Sequence, residues 1–210
     1  MISNEEELFN YNKNKLLNSP LFYQGETDEE LLNDVKNSKI VIYTAFTGDY
    51  DSLKEPEYID DNCEYICFTD NPNIKSDIWK IIPMEDSNLD NNRKAKQYRL
   101  FPHKYLSDYK YSFWIDSSFK IIGSIREYIY KYLKNSMLNV LHDERNCIYD
   151  EFIISASMDR YPTAILEKQI EKYQNEDMPS HYGLVSSGFI FREHKNPKII
   201  KLMEDWWKEI

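Results

Sequence analysis

At 210 residues, 41% hydrophobic and 15% aromatic, the chain has enough apolar material for one well-cored domain, is short for two, and is not a disordered polypeptide. A formal net charge of -10, with acidic and basic residues interleaved and no basic block, argues against a nucleic-acid backbone as partner. No run of about 18 apolar residues occurs and the start, Met1 to Asn18, is acidic and polar, so neither a membrane span nor a signal peptide is expected and the predicted location is cytoplasmic.

In chain order, Glu5 to Leu17 has weak helical periodicity and ends at Ser19-Pro20, which predicts a peripheral helix. Thr27 and Glu30 have the capping-box spacing and predict a short helix carrying Leu31, Leu32 and Val35. Ile40 to Phe46 is a continuous apolar run of the kind buried on both faces of a parallel sheet, and it stops at the turn Thr47-Gly48-Asp49-Tyr50-Asp51. Tyr65 to Thr69, ending at Asp70-Asn71-Pro72, and Trp79 to Pro83 read as two further strands. Asn91 to Leu106 reads as an Arg- and Lys-rich helix bent near Pro102.

The stretch from Tyr111 to Ile122 then reads as a buried strand, a carboxylate at Asp116, and a second strand from Phe119 to Ile122. Ser124 caps a helix with Ile125, Tyr128, Ile129, Tyr132 and Leu133 on one face. A strand at Leu138 to Leu141 follows, then helices at Cys147 to Met158 and Thr163 to Tyr173, the second with Pro162 in its first turn. Gly183 to Phe191 reads as a late strand. Pro197 to Ile210 reads as a helix placing Ile199, Met203, Trp206, Trp207 and Ile210 on one face, with the tryptophans in the core. Strand and helix alternate, which predicts an α/β fold with a mostly parallel sheet flanked by helices in a single domain.

Several of these strands end in polar turns: Thr47 to Asp51, Asp70, Asp116 and the loop at His142. In open α/β sheets the strand ends face the ligand crevice, so Asp116 reads either as a carboxylate for a divalent metal or substrate hydroxyl, or as a turn cap. Asp70 could accept from a ribose or base, and Gly48 permits close backbone approach; both also fit plain turn positions. Arg93 and Lys96, with Arg99 three further on, suit a diphosphate or a solvated basic face. His194, after Arg192-Glu193, could approach the edge that carries Asp116 and offer a nitrogen ligand. Most of the 17 tyrosines fit half-buried strand positions rather than a sugar-lined surface.

Cys63, Cys67 and Cys147 form neither a Cys-x-x-Cys motif nor a set with paired histidines, so reduced structural thiols are expected. Gly-x4-Gly-Lys, Gly-x-Ser-x-Gly and His-Glu-x-x-His are all absent, which disfavours P-loop NTPases, serine hydrolases and zincins.

Tyr43 to Asp51, Cys67 to Asp70, Arg93 with Lys96 and His103, Trp114 to Ser117, His142 to Glu151 and Phe189 to His194, in that order and followed by Trp206 and Trp207, resemble the glycosyltransferase-like family typified by plant mucilage and turgor-regulation proteins. The resemblance implies a GT-A-like, Rossmann-related fold over residues 39–210, with 1–38 as a helical extension, and transfer of a sugar from a nucleotide-sugar donor, UDP favoured, to a glycan or other hydroxyl acceptor. It implies Thr47, Gly48, Asp49, Tyr50 and Asp70 at the nucleotide, Arg93 and Lys96 at the phosphates, and Mn2+ or Mg2+ held by Asp116, Ser118 and His194. Arg145, Asp150 and Glu151 become the catalytic candidates, the last two as bases, with His142 and Arg192 on the substrate side.

Two departures from the family pattern stand out. The usual Asp-x-Asp is here Asp116-Ser117-Ser118, and the Arg-Asp-Gln segment expected beyond the tryptophan helix is not reached by Ile210, so a shortened relative or an acceptor-side acid beyond this sequence is expected. A non-catalytic nucleotide-sugar or glycan-binding domain is the alternative. A ceramidase-like hydrolase, a label part of the family has carried, lacks a supporting motif here.

Overall fold

The apolar run Ile40–Phe46 forms β1, and all seven of its residues are buried, because a central strand has a covered face on each side. The structure is a computed structural model that describes residues 27–141, 146–158 and 162–210. The expected helix at Glu5 to Leu17 lies outside the described residues, as do His142 and Arg145.

Helix α1 (Glu29–Asn37) precedes β1. After it come β2 (Cys63–Thr69), β3 (Lys80–Pro83), α2 (Asn91–Leu100), a short α3 (Pro102–Tyr105) and β4 (Tyr111–Ile115). The chain continues with α4 (Ile125–Tyr132), β5 (Met137–Leu141), α5 (Ile148–Ser157), α6 (Thr163–Asn175), β6 (Val185–Glu193) and α7 (Pro197–Lys208). The strands make one six-stranded sheet in the order β3-β2-β1-β4-β6-β5. β1 pairs in parallel with β2 and β4, and β2 with β3, whereas β6 lies antiparallel to β4. The mostly parallel α/β sheet is therefore as expected and is consistent with a GT-A-like architecture.

Alternation along the strands sorts the core into two faces. Ile40, Ile42, Tyr111, Phe113, Ile115 and Phe191 face one way with Val35 of α1 and Ile125 and Ile129 of α4. Val41, Tyr43, Ala45, Trp114 and Ile190 face the other way with Tyr98 of α2, Leu106 and, from α7, Trp206. The apolar stripe of α7 holds as read: Ile199 and Met203 are buried with Leu100 and Phe101, and Trp206, Trp207 and Ile210 pack against them. Each fully buried aliphatic side chain of this kind contributes about 1.5–3 kcal/mol.

Four readings change at the level of elements. Phe119 to Ile122 is not a strand; both sides of β4 are already taken by β1 and β6, so only Ile121 is buried while Phe119 and Ile122 face solvent. The cap of α1 is Asp28, whose carboxylate accepts from the Leu31 amide at 2.9 Å, while Thr27 accepts from Lys134. Pro162 occupies the cap position of α6 rather than its first turn. The late strand runs two residues further than read, to Glu193. The bend at Pro102 is present as the break between α2 and α3.

The residues group into two compact units, Gly25–Asn139 with Ser187–Ile210, and Val140–Ser186. The first contains β1 to β4 and most of β6. In the second, α5 and α6 pack together, the Tyr149 hydroxyl donates to the Met178 carbonyl at 2.7 Å, and the Gly183 amide donates to the Asn146 carbonyl at 2.9 Å.

Candidate functional site

The strand order places a topological switch between β1 and β4: from β1 the sheet extends through β2 and β3 on one side, and resumes with β4 on the other. Loops leaving parallel strands on the two sides of such a point diverge and leave a crevice at the carboxyl ends. The turn at Thr47 to Asp51 follows β1, Asp70 follows β2 and Asp116 follows β4. Because β6 is antiparallel, it brings its amino-terminal half, Ser187 and Gly188, to the same edge; the Asp116 amide donates to the Gly188 carbonyl at 3.0 Å.

The three carboxylates there are fixed differently. Gly48 takes the left-handed conformation, φ 55°, and so turns its amide onto Asp70 at 2.7 Å. That amide, with Lys94 at 3.3 Å, holds the Asp70 carboxyl below the ordinary range. Asn71 donates to the Gly48 carbonyl and to Asp49 at 2.8 Å, closing the turn onto the end of β2. Asp51 accepts from the Ser117 hydroxyl at 2.7 Å, which ties the turn after β1 to the turn after β4 across the switch point.

Asp116 accepts from the Trp114 indole N–H at 2.8 Å and lies 3.9 Å from the Arg99 guanidinium. Burial raises its carboxyl above the usual value, Arg99 and the indole oppose that, and the neighbouring charge of Asp51 adds to it. Gly188 lets the Phe119 ring pack close to this corner: a Cβ there would meet that ring at 2.8 Å and Asp116 Oδ2 at 3.6 Å. Arg99 itself reaches the Ser187 hydroxyl at 3.3 Å and sits between the indoles of Trp114 and Trp206, 6.0 Å and 5.6 Å from their rings.

Of the residues read from sequence, Thr47, Gly48, Asp49, Asp70 and Asp116 therefore share the crevice edge. Thr47 donates to the Asn91 carbonyl at 3.3 Å, linking β1 to the start of α2. Tyr50 and Ser118 follow on the same turns and are exposed. Lys96 lies half-buried on α2, while Arg93 turns to Asp90 at 3.8 Å and to the Ile210 carbonyl at 3.0 Å. Lys94 pairs with Asp70 at 3.3 Å and Arg99 with Asp116 at 3.9 Å. The sequence gives no separate sign for Lys94, whereas Arg99 is marked by a charge set between the apolar Tyr98 and Leu100 near the end of α2. Asp51 and Ser117 stand in the polar turns read from sequence, but their pairing spans two loops and leaves no local signal.

His194 and Arg192 are corrected by strand direction. Glu193 pairs with Tyr111, the first residue of β4, so His194 lies past the start of β4 whereas Asp116 follows its end. Six strand positions at about 3.3 Å each put roughly 20 Å between them, so His194 does not share a metal with Asp116. His194 is buried, with Nε2 3.2 Å from the Leu106 carbonyl, and burial pushes its imidazole down to about 4. Arg192 is fully buried rather than facing a substrate: it donates to the Tyr43 hydroxyl, the Arg99 carbonyl and Met203 Sδ. It supports the end of α2 from inside. Asp150 and Glu151 lie in the first turn of α5 in the other unit, Asp150 exposed and Glu151 within 3.4 Å of the Ser155 hydroxyl.

A hard divalent ion takes oxygen ligands. At the crevice the carboxylate oxygens come from Asp116 and Asp51; the Asp51 carboxylate accepts from Ser117, the residue after Asp116, and Asp116 Oδ2 lies 3.6 Å from where a Cβ on Gly188 would sit.

Among the described residues no helix is long and apolar enough to cross a membrane. The family model described as TOD1/MUCI70, glycosyltransferase-like domain, matches residues 22–196 and so runs through both units. The chain is also 22% identical over 175 residues to the Probable hexosyltransferase MUCI70 of Arabidopsis thaliana, a match covering 73% of this chain and 30% of that protein's length.

Proposed function

We propose, because this chain belongs to the TOD1/MUCI70 glycosyltransferase-like family, that it transfers a sugar from a nucleotide-sugar donor, a UDP-sugar, to a hydroxyl of a glycan acceptor by GT-A-type chemistry. The observation that carries the reading is the meeting of Asp116, Asp51 and Asp70 with Arg99 and Lys94 at the β1/β4 switch point. Transfer breaks the bond between the sugar and the diphosphate, and the departing diphosphate gains negative charge. Arg99 and Lys94, with Arg93 and Lys96 on the same helix, stabilise that charge. Mn2+ or Mg2+ held by Asp116 and Asp51 would supply Lewis-acid neutralisation of the same group. Asp70 and the Gly48 backbone take the ribose or base. Arg192 acts indirectly, by fixing the Arg99 carbonyl. The acceptor hydroxyl must lose a proton to a base, a role for which a carboxylate is suited.

The replacement of Asp-x-Asp by Asp116-Ser117-Ser118, with Ser118 exposed, favours a second reading, a domain that binds nucleotide-sugars without turning them over. The deciding experiment is thermal-shift titration with UDP, GDP and CMP, each with and without manganese, on wild type and Asp116→Ala, followed by donor turnover without acceptor. The transferase reading expects a manganese-dependent rise with UDP, about 2.7 kcal/mol at a ligand concentration of roughly 100 Kd, lost in Asp116→Ala. Donor hydrolysis should accompany it. A shift without turnover leaves the binding domain; no shift with any nucleotide overturns both.

A further inference from the structure

We propose that Cys147, Asp150 and His181 bind a borderline divalent transition metal, Zn2+ in the first instance, at a site separate from the crevice. Cys147 Sγ, a carboxylate oxygen of Asp150 and a ring nitrogen of His181 lie within 4.8 Å of one another, all in the smaller unit. Cys147 caps α5 and Asp150 follows three residues later, so both face one side of the first turn. His181 comes from the segment after α6 and holds a left-handed backbone, φ 57°, uncommon for a residue with a Cβ. Two contacts fasten that segment to the start of α5: Tyr149 to the Met178 carbonyl, and the Gly183 amide to the Asn146 carbonyl.

The histidine is also oriented. Its Nδ1 is 2.9 Å from Asn146 Oδ1; in the tautomer that donates to this oxygen, Nε2 keeps its lone pair for a metal. A ligating histidine whose other nitrogen donates to a neighbouring oxygen is the usual outer support of zinc sites. Zinc bonds of about 2.0–2.3 Å place ligand atoms about 3.5 Å apart, a closure of about an ångström that the exposed Asp150 and His181 side chains can make. Cys147 is only 2% exposed, which suits a ligand and not a nucleophile that must reach a substrate. One sulfur, one nitrogen and one oxygen select Zn2+ over Mn2+ or Mg2+, and three protein ligands leave a fourth position for water. Metal binding would clamp the first turn of α5 to the segment at His181.

The site uses no crevice residue, so its test stands apart from the transferase reading. Tag-free full chain, stripped with chelator, is titrated with Co2+ while the thiolate-to-cobalt charge-transfer band is followed, and Zn2+ is then added to displace it. One equivalent of Co2+ should raise the band and one of Zn2+ should abolish it. Cys147→Ser should lose the band, His181→Ala should weaken binding at least about 100-fold, and Asn146→Ala should weaken it about 10- to 100-fold. Asp116→Ala should leave it unchanged. If Cys147→Ser does not fold, His181→Ala decides alone, since that side chain is exposed. No band in the wild type, or unchanged affinity in His181→Ala, overturns the proposal.

Discussion

Replacing Arg99 by Gln removes the cation that faces Asp116 at 3.9 Å. Two unit charges at that separation interact with about 1 kcal/mol in water and about 4 kcal/mol in a medium of effective dielectric 20. The Asp116 side chain keeps 37% of its exposure and that of Arg99 13%, so solvent screening sets the value toward the lower end, about 1–2 kcal/mol. Burial already raises the Asp116 carboxyl, and Arg99 is the chief opposing influence, so Arg99→Gln moves its titration further up. The ratio of protonated to ionised Asp116 at a fixed pH should rise about 5- to 30-fold. In the folded state this carboxyl binds its proton more tightly than in the unfolded chain, so stability falls as pH rises from the unfolded value, near 3.8, through the folded one. The variant should extend that decline to higher pH. Carboxyl-carbon NMR of Asp-labelled protein, with Asp116→Asn for assignment, reads the titration directly, and thermal melts across pH read the linkage. Arg99→Lys keeps a charge but loses the guanidinium that lies over the Trp114 and Trp206 rings, so it should recover only part of the shift. An Asp116 titration that is unchanged in Arg99→Gln, or that moves down, would refute the electrostatic reasoning.

Two further outcomes concern the frame that holds the crevice. Burial pushes His194 down to about 4, from 6.5 in the unfolded chain, with Arg192, Lys195 and His103 adding to the effect, so stability should be full above pH 6.5 and fall by up to about 3 kcal/mol as pH drops toward 4. Urea unfolding at pH 7 and pH 5 should show this loss in wild type and much less of it in His194→Gln; equal losses in both would contradict it. Arg126, buried on α4, donates to the carbonyls of Val35, Lys36 and Ser38 at the end of α1, the shortest at 2.7 Å. Arg126→Met leaves them without that donor and should cost about 3 kcal/mol by denaturant unfolding, whereas a loss below about 1 kcal/mol would mean water replaces it.

What was legible in the sequence was whatever depended on local pattern. The unbroken run of β1, the stripe of Ile199, Met203 and Trp206 on α7, and the polar turns after three strands were all readable, because burial on one or both faces leaves a period in the residues. What was not legible depended on partners far along the chain. Phe119 to Ile122 has the composition of a strand, but strand preference is realised only where an open edge exists, and β4 has none to offer. His194 was misplaced because no local pattern records strand direction. Arg93 shares a spacing with Arg99, yet what each cation meets is set by the loops packed around α2, so Arg99 meets Asp116 while Arg93 meets Asp90. Asp51 and Ser117, 66 positions apart, meet only because β1 and β4 are neighbours.

The crevice is furnished from within: Asp70 is held by Gly48 and Lys94, Asp51 by Ser117 and Asp116 by the Trp114 indole, all before any ligand arrives. A molecule that engages these groups therefore trades one set of hydrogen bonds for another, and the net gain per contact is small. Little ordering is required on entry, and the internal partners stand ready to reclaim each group on departure. Under the proposed transferase function, in which a spent nucleotide leaves before the next cycle, that means modest hold, quick exchange and a turnover rate less burdened by product release.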